Sequence, residues 1–328
     1  MKFSTEVQLP EYTFEIDYRG KIFSIGSCFS DHVGQKLRRL KFNCVSNPAG
    51  ILFNPVSIIN QLMNALKQEA PNPNRIVERD GLYFHYDFHS QVYARSEEEL
   101  MHKIYNINQG IREQLIQSDL CILTLGTSWV YEIQNKVVAN CHKTPTKDFQ
   151  RRLLDLNEMS ASFIEFYEVL KSLNPNCHFL LTVSPIRHWK DGASENQVSK
   201  SNLHLLRYQL CERFDDVHYF PSYEIMMDEL RDYRFYAEDL LHPTKIAFDH
   251  IWDNFSEALL HNKAKKLSLT VQKLLTGLEH KILYPEAQSH LKHLEYLKKE
   301  ILALQKQSIT LDEELTEVST RIEKINKT

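Results

Sequence analysis

The residues best suited to chemistry in this sequence are a serine and a cysteine that stand side by side after a glycine. Residues 21–30 read KIFSIGSCFS, an apolar run followed by Gly26, Ser27 and Cys28. A hydroxyl or a thiol can attack a carbonyl carbon once its proton is removed. A sharp turn at the glycine would expose one of the two side chains at a sheet edge, beside helix N-terminal amides. The same residues also suit an ordinary strand end, with Cys28 as a small buried hydrophobe and Ser27 as a cap.

A second pair with chemical potential is Asp239 and His242. A separation of three residues places both side chains on one side of a turn. The carboxylate can then hold the imidazole in one tautomer while the other ring nitrogen faces a nucleophile. Surface and capping pairs show the same short spacing, so the pair gains meaning only together with Ser27 or Cys28.

The elements that would position these residues alternate between strand and helix. Apolar runs predict strands at 22–25, 42–45, 119–125, 178–183 and 217–220. Capping signals and apolar spacing predict a helix that begins at Asn54-Pro55 and another over 97–117. Residues 190–197 are polar and predict a surface loop before a further helix. The alternation predicts an α/β fold, a three-layer αβα sandwich with a mostly parallel sheet.

In such a sheet, ligands collect at the carboxyl ends of the strands. Gly50 follows the second predicted strand, and Gly126 and Ser128 follow the strand over 119–125. The whole chain has nine glycines. Finding Gly26, Gly50 and Gly126 at these ends therefore favours tight turns with exposed backbone.

Three further polar residues are candidates for substrate binding. Arg187 and His188 follow the strand over 178–183, and His142 lies in a predicted loop. The Arg187 guanidinium is suited to clamping a carboxylate, a phosphate or a sugar substituent. Any single histidine of this kind is more often structural.

The composition of the chain limits the kinds of partner that we expect it to bind. The 328-residue chain is 42% hydrophobic and carries a net charge of -4, which gives no reason to expect nucleic acid. Its six cysteines form no Cys-x-x-Cys pair, and no histidine pair has metal-ligand spacing on one helix. We therefore expect no metal, no cofactor and no disulfide framework. Residues 1–10 lack a signal-peptide core and no later run approaches a membrane span, which predicts a soluble, cytoplasmic chain without membrane contact.

The chain divides by composition near residue 261. We expect an α/β domain over 1–261 and an all-helical extension over 262–328, in which Pro285 separates two helices. A heptad spacing with one polar position runs along the extension, through Leu297, Ile301, Leu304, Ser308, Leu311, Leu315, Val318, Ile322 and Ile325. It predicts a coiled coil that joins copies into a homo-oligomer, a helical hairpin broken near Ser308, or a helix packed on its own domain.

Several of these segments together resemble a known family. Gly26-Ser-Cys-Phe-Ser30 resembles the Gly-Ser-Cys-Phe-Ala signature of the GSCFA domain family, within the SGNH (GDSL-like) hydrolase superfamily. Further similar segments are Asn140-Cys-His-Lys143, Thr182-Val-Ser-Pro185 with Arg187-His188, residues 219–225, residues 230–236 and Asp239-Leu-Leu-His-Pro243. The resemblance covers about residues 20–255 and leaves the helical tail outside. It implies an SGNH, flavodoxin-like fold.

The resemblance also implies catalytic roles for individual residues. His242 would be the base and Asp239 its orienting acid. Backbone N–H groups at Ser27 or Cys28 and at Gly50 and Gly126, with Ser128, would form the oxyanion hole.

Two positions depart from the superfamily pattern. The usual Gly-Asp-Ser reads Gly26-Ser27-Cys28, so position indicates Cys28 as the nucleophile and residue type indicates Ser27, which we favour. The usual Gly-x-Asn reads Gly126-Thr127-Ser128, so Ser128 or a backbone N–H must replace the amide.

Two functions are open at this point. One is an esterase or acyltransferase that acts on an O-acyl group, such as an O-acetyl group, of a small-molecule or carbohydrate ester substrate. The alternative is a catalytically silent binding or scaffold protein that oligomerises through its C-terminal helices. We favour the enzyme.

Overall fold

The computed structural model describes residues 4–280 and 287–326, so Pro285 lies outside the described residues. Its strands are β1 (Lys21–Gly26), β2 (Asn43–Ser46), β3 (Ile76–Arg79), β4 (Leu82–His85), β5 (Tyr93–Ala94), β6 (Leu120–Leu125), β7 (Trp129–Ile133), β8 (Lys136–Val138), β9 (Gln150–Leu153), β10 (His178–Val183) and β11 (Val217–Tyr219). Its helices are α1 (Cys28–Arg39), α2 (Pro55–Lys67), α3 (Glu97–Gln117), α4 (Leu156–Leu173), α5 (Gly192–Arg213), α6 (Ser222–Glu224), α7 (Lys245–Leu259), α8 (Asn262–Glu279), α9 (Gln288–Gln305) and α10 (Asp312–Asn326).

The central sheet has the strand order β11-β10-β6-β1-β2. Strand β6 runs parallel to β1 on one side and to β10 on the other, and β10 runs parallel to β11. Gly26 is in register with Thr124, and Thr124 is in register with Thr182. The carboxyl ends of β1, β6 and β10 therefore lie side by side, at the edge where the Gly26-Ser27-Cys28 turn begins.

Alternation along the strands creates a core on each side of this sheet. Phe23 and Ile25 of β1 belong to the large core that α2, α3, α4 and α5 cover. Ser24 faces the other way and its hydroxyl lies 2.7 Å from that of Ser30 in α1. On that side Phe29 of α1 stacks with a phenylalanine of α7. Helices thus cover both faces, which confirms the predicted α/β class and layered arrangement.

Two small antiparallel sheets, ordered β3-β4-β5 and β8-β7-β9, are appended to this frame. The strand patterns at 129–133 and 136–139, separated by Gln134-Asn135, predict the hairpin of β7 and β8, whereas β3, β5 and β9 were not predicted. The predicted surface loop over 190–197 is wrong, because a 3₁₀ turn at Trp189–Asp191 leads directly into α5 at Gly192.

The chain forms two compact units. One holds residues 1–13, 21–35 and 44–258, and the other holds 14–20, 36–43 and 259–328. The second unit thus takes two segments from the N-terminal part of the chain, in addition to the predicted extension. Within it, the backbone of Ile16 exchanges hydrogen bonds with residues 259 and 261.

The heptad spacing of the extension does not form one continuous helix. Helix α9 ends at Gln305, Ser308 has a φ of +66°, and α10 begins at Asp312 and packs back on α9. Leu297, Ile301 and Val318 are buried. The hairpin alternative is therefore the observed one, and oligomerisation through these helices stays a prediction. Within the described ranges, no helix has both the length and the apolarity to cross a bilayer.

Candidate active site

The turn after β1 is fixed by backbone hydrogen bonds. The Gly26 N–H donates to Asn47 Oδ1 at 2.8 Å, and the Ser27 N–H donates to the Thr124 carbonyl at 3.1 Å. Gly26 has a φ of +142°, and a Cβ atom there would lie 2.2 Å from the Thr124 carbonyl oxygen. Only glycine fits this position, so the glycine of the motif is a structural requirement of the turn.

The two candidate nucleophiles have different surroundings. Ser27 is 1% exposed, and its Oγ atom has no hydrogen-bond partner among the described residues. Cys28 is partly exposed and is the first residue of α1. Cys28 is therefore the more exposed of the two residues, which favours it as nucleophile over the Ser27 that we favoured from residue type.

The electrostatic surroundings keep Cys28 protonated at rest. Burial is the largest influence and raises the pKa of the thiol, and the Asp31 carboxylate raises it further. The N–H groups of Cys28 and Phe29 and the charge of Lys200 act in the opposite direction. Formation of a reactive thiolate at Cys28 therefore needs a nearby positive charge that offsets the negative charge on sulfur.

The Asp239–His242 pair forms the predicted dyad. Asp239 Oδ2 lies 2.5 Å from His242 Nδ1. Since a carboxylate only accepts, Nδ1 carries the hydrogen and Nε2 is left as the basic nitrogen. Asp239 Oδ1 also accepts the N–H groups of Leu241 and His242, and these bonds lower the pKa of Asp239 to about 2. Both side chains are about half exposed.

His242 of the dyad acts electrostatically on His32 of α1. The centroid of the His32 ring lies 4.0 Å from that of Phe248. Burial lowers the pKa of His32, the Asp31 carboxylate raises it, and His242 lowers it further. In the described part of the chain, His242 makes no hydrogen bond to Ser27 or Cys28. Catalytic hydrogen bonds often form only when substrate is bound.

The predicted oxyanion donors are already engaged. The Gly50 N–H donates to the Asn47 carbonyl at 2.8 Å, and the Gly126 N–H donates to the Phe53 carbonyl at 2.8 Å. Ser128 is fully buried and directs both its N–H and its Oγ to Ser199. We therefore correct the assignment of Gly50, Gly126 and Ser128 to the oxyanion hole. The N–H groups of the first turn of α1 are the better candidates.

Arg187 holds the dyad loop instead of standing free as an anion clamp. Its Nη2 donates to the Leu240 carbonyl at 2.5 Å, between Asp239 and His242 in sequence. Its guanidinium lies 4.9 Å from the Tyr236 ring, 5.0 Å from the Trp189 ring and 5.8 Å from the Tyr233 ring. The residue thus joins the loop after β10 to the loop that carries the dyad.

The two other predicted binding residues have different neighbours. His188 contacts the turn after β6, because a Cβ atom on Gly126 would lie 3.4 Å from its Nε2. His142 is 5% exposed, and its Nε2 lies 2.9 Å from the His85 carbonyl oxygen. His142 packs on β4, so its role in the structure is in the core of the small sheet.

Sequence reasoning missed Lys200. Its side chain is fully buried in α5, and its Nζ atom donates to the carbonyl oxygens of Gly126, at 2.8 Å, and Ser184, at 2.7 Å. Burial lowers the pKa of Lys200 to about 7, while Cys28 acts to raise it. Leu203 and Leu206 lie three residues apart, and Lys200 lies three residues before Leu203. This spacing would have placed the lysine on the buried face of the helix.

The described residues contain no group of three His, Cys, Asp or Glu side chains that could hold a metal ion.

Comparisons with known proteins show the family of the chain. The GSCFA family model matches residues 21–255, and a second model, the C-terminal domain of GSCFA domain proteins, matches residues 271–324. The helical tail is therefore part of the family pattern, which corrects its predicted exclusion. A search of curated proteins found no significant match.

Among solved structures, an acetyl xylan esterase from the rumen bacterium Butyrivibrio proteoclasticus matches with 13% identity and a TM-score of 0.30. The match covers 62% of this chain and 55% of that one. Nothing about substrate or mechanism follows from so distant a likeness. The two family models, which span both the α/β region and the tail, show that the chain belongs to the GSCFA family.

Proposed function

We propose that the protein is an SGNH-type esterase or acyltransferase that acts on O-acyl groups through Cys28, His242 and Asp239. The observation that carries this proposal is the dyad, in which Asp239 fixes the His242 tautomer at 2.5 Å and leaves the other ring nitrogen open.

In this mechanism His242 Nε2 accepts the thiol proton of Cys28 while the Cys28 sulfur attacks the ester carbonyl carbon. The N–H groups at the start of α1 stabilise the oxyanion, the C–O bond to the alcohol breaks, and His242 protonates the leaving alkoxide. His242 then removes a proton from water or from an acceptor hydroxyl, which attacks the acyl-enzyme and releases Cys28.

A carbohydrate ester suits the surface beside the dyad. Trp189 and Tyr233 are 46% and 62% exposed, and both flank Arg187, which holds the dyad loop. Exposed aromatic rings offer flat apolar surfaces on which a sugar ring can stack while its hydroxyl groups stay hydrated. An O-acetyl group on such a sugar would lie within reach of the dyad loop.

The second candidate is a catalytically silent binding protein. The engaged N–H groups of Gly50 and Gly126 favour it, as does the absence of a hydrogen bond from His242 to Cys28 in the described residues.

Hydrolysis assays separate the two functions. Acid release would be followed with small acyl esters and acetylated xylo-oligosaccharides, for the wild type and for His242→Ala. His250→Ala is the matched control, since His250 Nε2 lies 2.6 Å from Glu229 Oε2 and so belongs to another histidine–carboxylate pair. Loss of activity in His242→Ala alone supports the enzyme. Equal activity in His242→Ala contradicts the mechanism, and no activity with any ester favours the binding protein.

A further inference from the structure

The position of Lys200 calls for a reason, because burying a lysine side chain is costly. Its side chain has no exposed surface, and no carboxylate pairs with its Nζ atom in the described part of the chain. A buried ammonium without a counter-charge loses its hydration and gains little in return. A methionine of similar length would fill the space at lower cost.

Lys200 is bound to the same sheet edge as the nucleophile turn. Its two acceptors, the carbonyls of Gly126 and Ser184, directly follow the ends of β6 and β10. The Ser27 N–H donates to the carbonyl of Thr124, two residues before Gly126. The lysine and the turn thus share β6 as their common support.

Two acceptors fit the neutral form of the amine. A neutral amine has two N–H groups, one for each carbonyl, and a lone pair left over, whereas an ammonium has a third N–H. Either form can occupy the site without breaking an observed hydrogen bond. Protonation of Lys200 can therefore follow a change of charge nearby without a rearrangement.

We infer that Lys200 is the charge-balancing residue of the nucleophile turn, carrying positive charge when negative charge develops on Cys28. When the S–H bond of Cys28 breaks, its electron pair stays on sulfur and its proton passes to His242 Nε2, while the positive charge of protonated Lys200 Nζ offsets the negative charge that develops on sulfur. The inference deepens the proposed function, since it rests on Cys28 as the nucleophile. Lys200 acts through its charge, and is a positioning rather than a catalytic residue.

Several charged and titratable groups face this pair. Asp31 on α1 opposes a thiolate, and the charge of Lys200 lowers the pKa of His204, one turn further along α5. The Tyr223 ring lies 5.7 Å from Lys200 Nζ and favours its charged form. Lys200 is the cation among these neighbours that acts to lower the pKa of the Cys28 thiol.

The test is the rate of Cys28 alkylation by iodoacetamide between pH 6 and 10, measured by peptide mass. Lys200→Met should slow alkylation at pH 7.5 by about threefold to tenfold and move the midpoint to higher pH, because an opposite charge favours the thiolate. Alkylation needs no ester substrate. The test of Lys200 can therefore fail while the esterase assay succeeds, and the reverse.

The control is Lys171→Met. Lys171 Nζ also donates to two carbonyl oxygens, of Pro175 and Cys177, but at the opposite end of β10, and unlike Lys200 it pairs with a carboxylate, that of Asp216. An unchanged profile in folded Lys200→Met, or an equal shift in Lys171→Met, would overturn the inference. If Lys200→Met does not fold, a Lys200 Nζ titration by NMR in the wild type decides. If the midpoint of this Lys200 titration is the same in Cys28→Ser as in the wild type, the inference is equally overturned.

Discussion

The nucleophile turn and the dyad loop hold their functional groups in opposite ways. The turn at Gly26 and Ser27 is buried and tied to β6 and to Asn47, whose amide is remote in sequence. The dyad loop is exposed, and Asp239 is bonded to groups within three residues of itself. A buried turn that depends on distant partners should be sensitive to substitution. Asp239 has local partners in an exposed loop whose distant contact is that of Arg187, so its substitution should leave the fold intact.

The largest effect is expected for Gly26→Ala. The new Cβ atom would overlap the Thr124 carbonyl, which can move only if β6 moves. We expect a loss of at least about 5 kcal/mol in the free energy of unfolding, or failure to fold. Gly81→Ala is the control, since Gly81 also has a positive φ but its Cβ would meet open space, and should cost about 1 kcal/mol. Equal urea midpoints for the two variants would contradict this account of the turn.

Lys200→Met should change the pH dependence of stability. The pKa of Lys200 is about 7 in the folded chain, against 10.5 as the reference. Between these values the unfolded chain binds more protons, so wild-type stability should rise as the pH increases from 7 to 10.5. The rise is on the order of 4 kcal/mol and should be absent in Lys200→Met. Urea unfolding at pH 7 and pH 10 measures this rise. If the free energy of unfolding changes with pH equally in the wild type and in Lys200→Met, folding does not lower the pKa of Lys200.

A pair of serine substitutions tests the unpartnered hydroxyl of the turn. Ser27→Ala removes an Oγ atom that has no partner among the described residues, and should leave stability within about 0.5 kcal/mol of wild type. Ser24→Ala leaves the Ser30 hydroxyl, its partner at 2.7 Å, unsatisfied in the core and should cost roughly 1 to 3 kcal/mol. Thermal unfolding distinguishes them, and a Ser27→Ala loss as large as that of Ser24→Ala would mean that Ser27 does have a bonding role.

The smallest effect on stability is expected for Asp239→Asn. Its side chain is exposed, so the urea midpoint should not move. The turnover of an acyl ester should nevertheless fall by about 10²-fold or more, because the amide no longer fixes the useful tautomer of His242. Asp228→Asn, in an exposed ion pair with Arg231, is the control and should change neither quantity. A lower midpoint for Asp239→Asn would mean that the loop supports the fold.

The elements with local signals were predicted well. Helix α3 has the predicted bounds, since Ser96 caps it with an Oγ that accepts the Glu99 N–H. Asn54 likewise caps α2 ahead of Pro55. The dyad was also predictable, because Asp239 and His242 are bonded within one short loop. In each case the determining contacts lie within four residues.

The predictions that failed depend on contacts between distant residues. Nothing near Gly126 or Ser128 in sequence shows that the Phe53 carbonyl and Ser199 occupy them. Lys200 was overlooked because the predicted loop over 190–197 hid the start of α5, and its acceptors directly follow two strands that are distant in sequence. The heptad spacing continues through Ser308 although the chain turns back there, because spacing alone does not show which partner buries an apolar face.

The most direct test of the account is the intact mass of the protein after incubation with an activated acyl ester. Wild type, Ser27→Ala, Cys28→Ala and His242→Ala would be compared, each checked for folding. The account predicts one acyl adduct on wild type and Ser27→Ala and none on Cys28→Ala. With His242→Ala, the adduct should form more slowly than on wild type, since the Cys28 thiol then lacks the base that accepts its proton. An adduct on Cys28→Ala that disappears in Ser27→Ala would contradict the assignment of Cys28, and no adduct on any folded protein would contradict the acyl-enzyme mechanism itself.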